Sequence, residues 1–134
     1  MKRTKAHFLK IRREFPSSKE AFVFLIDSFL ANRPQLLDKI DWQYQYVAKG
    51  RGRLYFARDP KQLFDSSPHL ADDSNNYAKT TGGWFANTNL SNSEKESVLH
   101  RLAALGGWKY GTDWSFEVVE PGEPKRLSLD DLNL

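Results

Sequence analysis

The chain has 134 residues, enough for one hydrophobic core of ordinary size and too few for two substantial ones. Hydrophobic residues make up 40% and aromatic residues 13%, which excludes a globally disordered chain. The absence of cysteine excludes disulfides and thiolate metal sites, and nothing indicates secretion. The longest apolar run, residues 21–26, is far shorter than a membrane span, so we expect a cytoplasmic protein without membrane contact.

Charge is unevenly distributed along the chain. The formal net charge is only +3, but basic residues gather in segments 1–13 and 49–61, while the C-terminal end is acidic. A local basic face can attract a polyanion even when the total charge is small. The alternative interpretation of the first basic segment is the solvated face of an N-terminal helix.

Three helices are predicted in the first half of the chain. The first covers residues 4–14, where apolar side chains offer part of one helical face. The second begins at Ser17, which forms a capping-box pattern with Glu20 ahead of apolar residues at helical spacing. The third covers residues 34–49, because proline suits a first helical turn and Gly50 suits a helix end.

Short strands are predicted in the middle of the chain. A strand over residues 54–57 is followed by Asp59-Pro60, an N-cap and a first-turn proline that start a short helix. The polar residues 65–76 are typical of a loop. A strand over residues 77–81 connects through Gly82-Gly83, a pair that suits a tight hairpin turn, to the next strand.

The last clear helix is predicted after residue 90. Overlapping capping-box patterns at residues 91–94 and 93–96 favour its start, and Gly106-Gly107 favours its end. Residues 114–119 alternate in polarity and are expected to add an edge strand. The remaining residues, 121–134, are expected to form a mobile tail.

Two short stretches carry most of the functional information. Arg51-Gly52-Arg53 directly precedes a predicted strand, so both arginines can reach toward phosphate, although such a sequence also suits solvated surface. Asn87-Thr88-Asn89 follows another strand. Residues two apart in an extended segment point the same way, so both asparagine amides can be presented together to adenine N6 and N7. The alternative is a turn or helix entry, where asparagine satisfies local backbone groups.

These motifs, in this order and spacing, resemble the DNA-binding domain of the SeqA family, bacterial replication-sequestration proteins that bind hemimethylated GATC sites. The resemblance rests on residues 51–57, Gln62-Leu63 and residues 84–89, followed by a helix. With the predicted elements it implies an α+β fold, with helices packed around a small antiparallel sheet of about three strands. Residues 1–107 would form this domain, and residues 108–134 a C-terminal extension with a possible edge strand and a mobile acidic tail.

Position by position, the resemblance assigns both arginines to the DNA backbone and both asparagines to the methylated A·T pair. Gly52 stands where the family usually has a threonine, so only a backbone amide remains there for contact. After Asn89 the family continues with a threonine and a Gly-Arg-Lys stretch. This chain instead has Leu-Ser-Asn-Ser-Glu over residues 90–94, which gives a less basic helix entry.

The function that the resemblance implies is binding of double-stranded DNA at hemimethylated or methylated GATC sites. In the family such binding delays replication initiation, so a negative modulator of replication from a bacterium or mobile element is expected. No cofactor or metal is implied. The short oligomerisation module of the family has no counterpart here, so we expect a monomer off DNA.

Enzyme chemistry has little support, and we expect that the chain is not an enzyme. The three histidines are far apart in sequence, and glycine patterns for phosphate or dinucleotide binding and a serine nucleophile elbow are absent. One alternative stays open as a methylation-directed, metal-dependent nuclease that uses Asp65, Asp72 or Glu117. The other is a protein-interaction module with four partner-facing aromatic residues: Trp42, Tyr44, Tyr46 and Trp108.

Overall fold

The computed structural model describes residues 3–39, 55–64 and 68–119. Within these ranges the chain forms three α-helices and two antiparallel sheets of three strands each, so the predicted α+β class is confirmed. The expected small antiparallel sheet of three strands is present in the middle of the chain, and three further strands from the two ends of the described chain form a second sheet.

A β-hairpin replaces the helix predicted over residues 4–14. Strand β1 (Arg3–Phe8) pairs with β2 (Ile11–Phe15) around a turn at Leu9 and Lys10. Along β1, Thr4, Ala6 and Phe8 are buried on one face with the period of two expected of a strand, and His7 is buried on the other face. The apolar residues that suggested a helical face therefore lie on a strand and at its turn.

The first sheet has the order β2-β1-β6, in which β6 (Trp114–Val119) lies at one edge, as predicted for this segment. Helix α1 (Ser18–Asn32) packs on the sheet and contributes Phe29 to an aromatic cluster. The Phe29 ring stacks on Trp108 with centroids 4.8 Å apart and meets the edge of Phe8 at 5.5 Å. The core of the protein lies between this helix and the sheet.

Helix α1 begins where the sequence predicts. The Ser17 hydroxyl accepts a hydrogen bond from the Glu20 amide at 3.2 Å, as expected of an N-cap. The predicted apolar stripe, which includes Phe22, Leu25 and Phe29, is buried. A 3₁₀ turn, Leu36–Lys39, occupies the start of the predicted third helix, and residues 40–49 of that prediction lie outside the described residues.

The second sheet has the order β3-β5-β4, formed by β3 (Phe56–Ala57), β4 (Tyr77–Lys79) and β5 (Phe85–Asn87). The predicted hairpin between β4 and β5 is confirmed, and its connection is a 3₁₀ turn, Thr81–Gly83. Both Gly82 and Gly83 have φ of +82°, which glycine adopts without a steric penalty.

One helix lies between the strands of the second sheet in sequence, and another follows its last strand. The short α2 (Pro60–Leu63) has Asp59 as its N-cap, as predicted. The described part of the predicted 65–76 loop contains two 3₁₀ turns, Pro68–Asp72 and Ser74–Asn76. Helix α3 (Asn92–Gly106) follows β5 and packs against α1, which joins the second sheet to the main core.

Candidate nucleic-acid interface

The second sequence motif begins at the end of β5, beside the residue that precedes β3. The backbone amide of Asn87, at the end of β5, donates to the Tyr55 carbonyl at 2.9 Å, directly before β3. Arg51, Gly52 and Arg53 lie outside the described residues. The pairing of β3 with β5 thus joins Tyr55 to a residue that is more than thirty positions away in sequence.

Asn87 lies inside the fold. Its side chain is fully buried, and its Oδ1 accepts a hydrogen bond from the Asn89 backbone amide at 2.9 Å. This is the local side-chain turn that asparagine forms at strand ends and helix entries. The expectation that Asn87 and Asn89 present their amides together is wrong for this structure, because β5 ends at Asn87 and the extended geometry does not continue.

Thr88 fixes the segment after β5 to the rest of the protein. Its backbone amide donates to the Asn76 carbonyl at 2.9 Å. Its hydroxyl donates to the Asn75 carbonyl at 3.1 Å. The next residue, Asn89, has an exposed side chain. Among the predicted site residues in the described ranges, Asn89 is therefore the one that faces solvent.

Residues 87–91, which we call the 87–91 loop, lead from β5 to the N terminus of α3. The Ser91 hydroxyl accepts from the Glu94 amide at 3.1 Å, and the Glu94 carboxylate accepts from the Ser91 amide at 3.1 Å. This capping box confirms the predicted helix start. The carboxylate of Glu94 also partly offsets the positive end of the helix dipole, so a phosphate placed there would compete with it.

Two lysines that the sequence analysis did not single out lie behind the loop. The Lys19 ammonium donates at 3.0 Å to the Asn75 carbonyl, the same oxygen that accepts from the Thr88 hydroxyl. The Lys95 ammonium donates to the Ser18 hydroxyl at 3.3 Å. Burial, together with the positive charge of Lys19, lowers the pKa of Lys95. Their convergence depends on the packing of α1 against α3, which no local sequence pattern indicates.

Charged groups of α3 also lie beside the start of β3. The Arg101 guanidinium is 6.0 Å from the centroid of the Tyr55 ring. Burial raises the pKa of Tyr55, and the positive charge of Arg101 partly opposes that shift. The Tyr55 phenol therefore stays protonated at neutral pH and can donate a hydrogen bond. Arg101 adds positive charge close to the strand that follows the Arg51-Gly52-Arg53 motif.

The structure also places several residues of the nuclease and protein-interaction alternatives. Asp72 lies in a 3₁₀ turn, Glu117 lies on β6 of the other sheet, and Asp65 is outside the described residues. In the described ranges, no group of three or more potential ligand side chains is placed to hold a metal ion. Trp108, named in the interaction alternative, stacks in the core on Phe29.

The other aromatic residues of the interaction alternative, Trp42, Tyr44 and Tyr46, lie outside the described residues. Over residues 3–39, 55–64 and 68–119, none of the helices is both long and apolar enough to cross a membrane. No protein-family model, curated protein or solved structure matches this chain. The resemblance to the SeqA family therefore rests on the motif residues themselves.

Proposed function

We propose that this chain binds double-stranded DNA at methylated or hemimethylated GATC sites, and that it acts as a negative modulator of replication initiation. One observation carries the proposal beyond the sequence resemblance. The strand that follows Arg51-Gly52-Arg53 and the strand that precedes Thr88-Asn89 are hydrogen-bonded neighbours. A phosphate-binding segment and a base-reading segment can therefore act on one duplex.

The arginines and the loop perform different tasks in this proposal. Arg51 and Arg53 neutralise phosphates, which are present in every sequence, so they supply affinity and salt dependence. The Asn89 amide pairs with the adenine edge in the major groove and supplies preference. The methyl group packs against the backbone or apolar surface of the 87–91 loop.

Asn87 and Thr88 serve the proposed contact by holding the loop in shape. Each has a buried side chain that hydrogen-bonds to the backbone, Asn87 to the Asn89 amide and Thr88 to the Asn75 carbonyl. A loop held in this way loses little conformational entropy when DNA binds. The proposal thus assigns direct base contact to Asn89 and positioning to Asn87 and Thr88.

The nearby lysines favour a polyanion over a neutral partner. The Lys19 ammonium and the Thr88 hydroxyl both donate to the Asn75 carbonyl. Lys95 lies close enough to Lys19 for that positive charge to lower the pKa of Lys95. Glu94 partly offsets this charge at the helix end. Lys19 and Lys95 thus bring positive charge to the loop, and Glu94 offsets part of it.

The experiment that tests the proposal is a binding titration against GATC duplexes that are unmethylated, hemimethylated or fully methylated, with a scrambled duplex as control. We expect the tightest binding to one of the methylated forms and the weakest to the scrambled duplex. Equal affinity for all four duplexes would contradict methylation-dependent recognition. Cleavage of the methylated duplex after addition of Mg²⁺ would favour the nuclease alternative, and failure to bind any duplex would favour the interaction module.

A further inference from the structure

The tip of the β1–β2 hairpin has an unusual combination of properties. Leu9 and Ile11 are 44% and 48% exposed, although both are large apolar residues. Leu9 has φ of +56°, and it is the one non-glycine residue with positive φ in the described part of the chain. Glycine or asparagine would adopt this angle with less steric cost. Steric strain and exposed apolar surface at one position are typical of a functional contact rather than a folding requirement.

Positive charge is neutralised at one end of the hairpin and not at the other. Far from the tip, Arg3 forms a 2.7 Å salt bridge with Glu14. Lys5 lies between Glu14 and Glu117 in the register of the sheet. These carboxylates therefore offset the cations at that end.

Near the tip, Lys10 and Arg12 are exposed, and neither forms an ion pair with a carboxylate of the described residues, although Arg12 lines a pocket together with Glu14 and Glu117. Arg12 instead pairs across the strands with His7. The tip consequently alternates exposed apolar and cationic side chains in the order Leu9, Lys10, Ile11 and Arg12. A hairpin of this composition is complementary to a nucleic-acid groove, where apolar side chains meet sugars and bases while cations meet the flanking phosphates.

We propose that the β1–β2 tip is a second DNA contact, which binds the duplex outside the GATC site without reading its sequence. This inference rests on the proposed function of the 87–91 loop. In the proposed hairpin contact, Lys10 and Arg12 contact phosphates, and Leu9 and Ile11 pack into the adjacent groove. Two-stranded ribbons fit the major groove of B-form DNA.

Helix α1 sets the distance between the two contacts. Lys19, at its first turn, reaches the loop through Asn75, whereas Phe29 meets Phe8 at the end of β1. The ten residues between them rise about 15 Å along the helix. At 3.4 Å per base pair this corresponds to about four to five base pairs, so the tip contacts flanking DNA.

The test is a salt-dependent titration of wild type and variants with a hemimethylated GATC duplex of about 24 base pairs, long enough to include the flank. Lys10→Ala/Arg12→Ala is expected to lower the salt slope by about two, one for each lost phosphate contact. The preference for the hemimethylated over the unmethylated duplex stays unchanged. Arg3→Ala, which removes a cation that is paired with Glu14 in the same hairpin, is the matched control and should change the slope much less.

Leu9→Asn separates a binding role from a folding role. Asparagine tolerates positive φ and is polar, so this variant should keep or raise the melting temperature while it weakens DNA binding. Unchanged affinity with unchanged stability would overturn the apolar contact. On a duplex of about 6 base pairs centred on GATC, which extends only about three base pairs to each side of its centre, all hairpin variants should bind like wild type, because the flank is missing.

The outcomes distinguish this inference from the proposed function. Wild-type affinity in Lys10→Ala/Arg12→Ala, with methylation preference intact, overturns the hairpin contact and leaves the loop site standing. If Arg3→Ala lowers the salt slope by as much per lost charge as Lys10→Ala/Arg12→Ala, the effect is general electrostatics, and the hairpin contact is again overturned. If wild type binds no duplex, both proposals fail. A dimer in light scattering that Lys10→Ala/Arg12→Ala abolishes would make the tip a self-association surface instead.

Discussion

Asn87→Ala is expected to lower the stability of the fold, whereas Asn89→Ala is expected to weaken DNA recognition, although both residues are asparagines two positions apart. The Asn87 amide is fully buried and accepts the Asn89 backbone N–H at 2.9 Å, so alanine removes that acceptor. Loss of a partner for a buried hydrogen-bonding group costs about 1 to 3 kcal/mol. For a domain of this size, 1 kcal/mol shifts the melting temperature by about 4 °C, so we expect a decrease of about 4 to 12 °C.

Asn89→Ala removes an exposed side chain and should change the free energy of unfolding by less than about 0.5 kcal/mol. If its amide pairs with adenine, the same change costs about 1 to 3 kcal/mol on the preferred duplex, or about 5- to 150-fold in affinity. Affinity for scrambled DNA should barely change, because phosphate contacts are intact.

The assay measures melting temperature and duplex preference on the same preparations. Asn76→Ala is a suitable control, because it removes a side-chain bond from Nδ2 to the Leu70 carbonyl at 3.0 Å in the neighbouring turn. It should lower stability and keep the preference. Preserved preference in Asn89→Ala would refute base reading by this residue. Loss of preference in Asn87→Ala at a temperature where the variant is folded would show that loop shape matters as well.

Three further predictions concern the two arginines, the oligomeric state and Lys95. Arg51→Ala and Arg53→Ala should each reduce the salt slope of DNA binding by about one and leave sequence preference largely unchanged, and an unaltered slope in both would exclude phosphate contacts. Light scattering without DNA should show a monomer, and a stable dimer would contradict that expectation. Because burial and Lys19 lower the folded-state pKa of Lys95 below 10.5, the unfolded chain binds more protons just below that pH. The free energy of unfolding should therefore rise with pH in this alkaline window for wild type relative to Lys95→Met, and parallel profiles in urea unfolding would refute the shift.

Local signals allowed the sequence to predict several elements correctly. Ser17 with Glu20 and Ser91 with Glu94 mark helix starts, because each pair satisfies backbone amides within one turn. Asp59 marks the start of α2 for the same reason. Such features depend on residues two or three apart, so they do not require knowledge of the tertiary structure.

The N-terminal hairpin could not be predicted in the same way. Residues 3–8 become a strand because β2 and β6 pair with both edges, and β6 is more than one hundred positions away. The turn at Leu9 gave no signal, because its positive φ normally selects glycine or asparagine. A short apolar cluster around Phe8 therefore favoured a helix that the tertiary pairing overrides.

The candidate site was only partly predictable for a related reason. The motif containing Asn87 was found, but the sequence could not tell an outward amide from one that turns back onto Asn89. The lysines behind the loop, Lys19 and Lys95, come from two helices whose ends meet only in the folded protein. Sequence reasoning thus identified the segment and missed its electrostatic surroundings.

The most direct test of the central claim is an NMR titration of the isotope-labelled chain with hemimethylated and unmethylated GATC duplexes. Amide signals of Thr88, Asn89 and Ser91 should shift, together with those of Tyr55 and Phe56 at the start of the paired strand. The shifts should saturate at lower concentrations of the hemimethylated duplex. Identical titrations with both duplexes, or shifts confined to residues distant from the 87–91 loop, would contradict methylation-dependent recognition at this site.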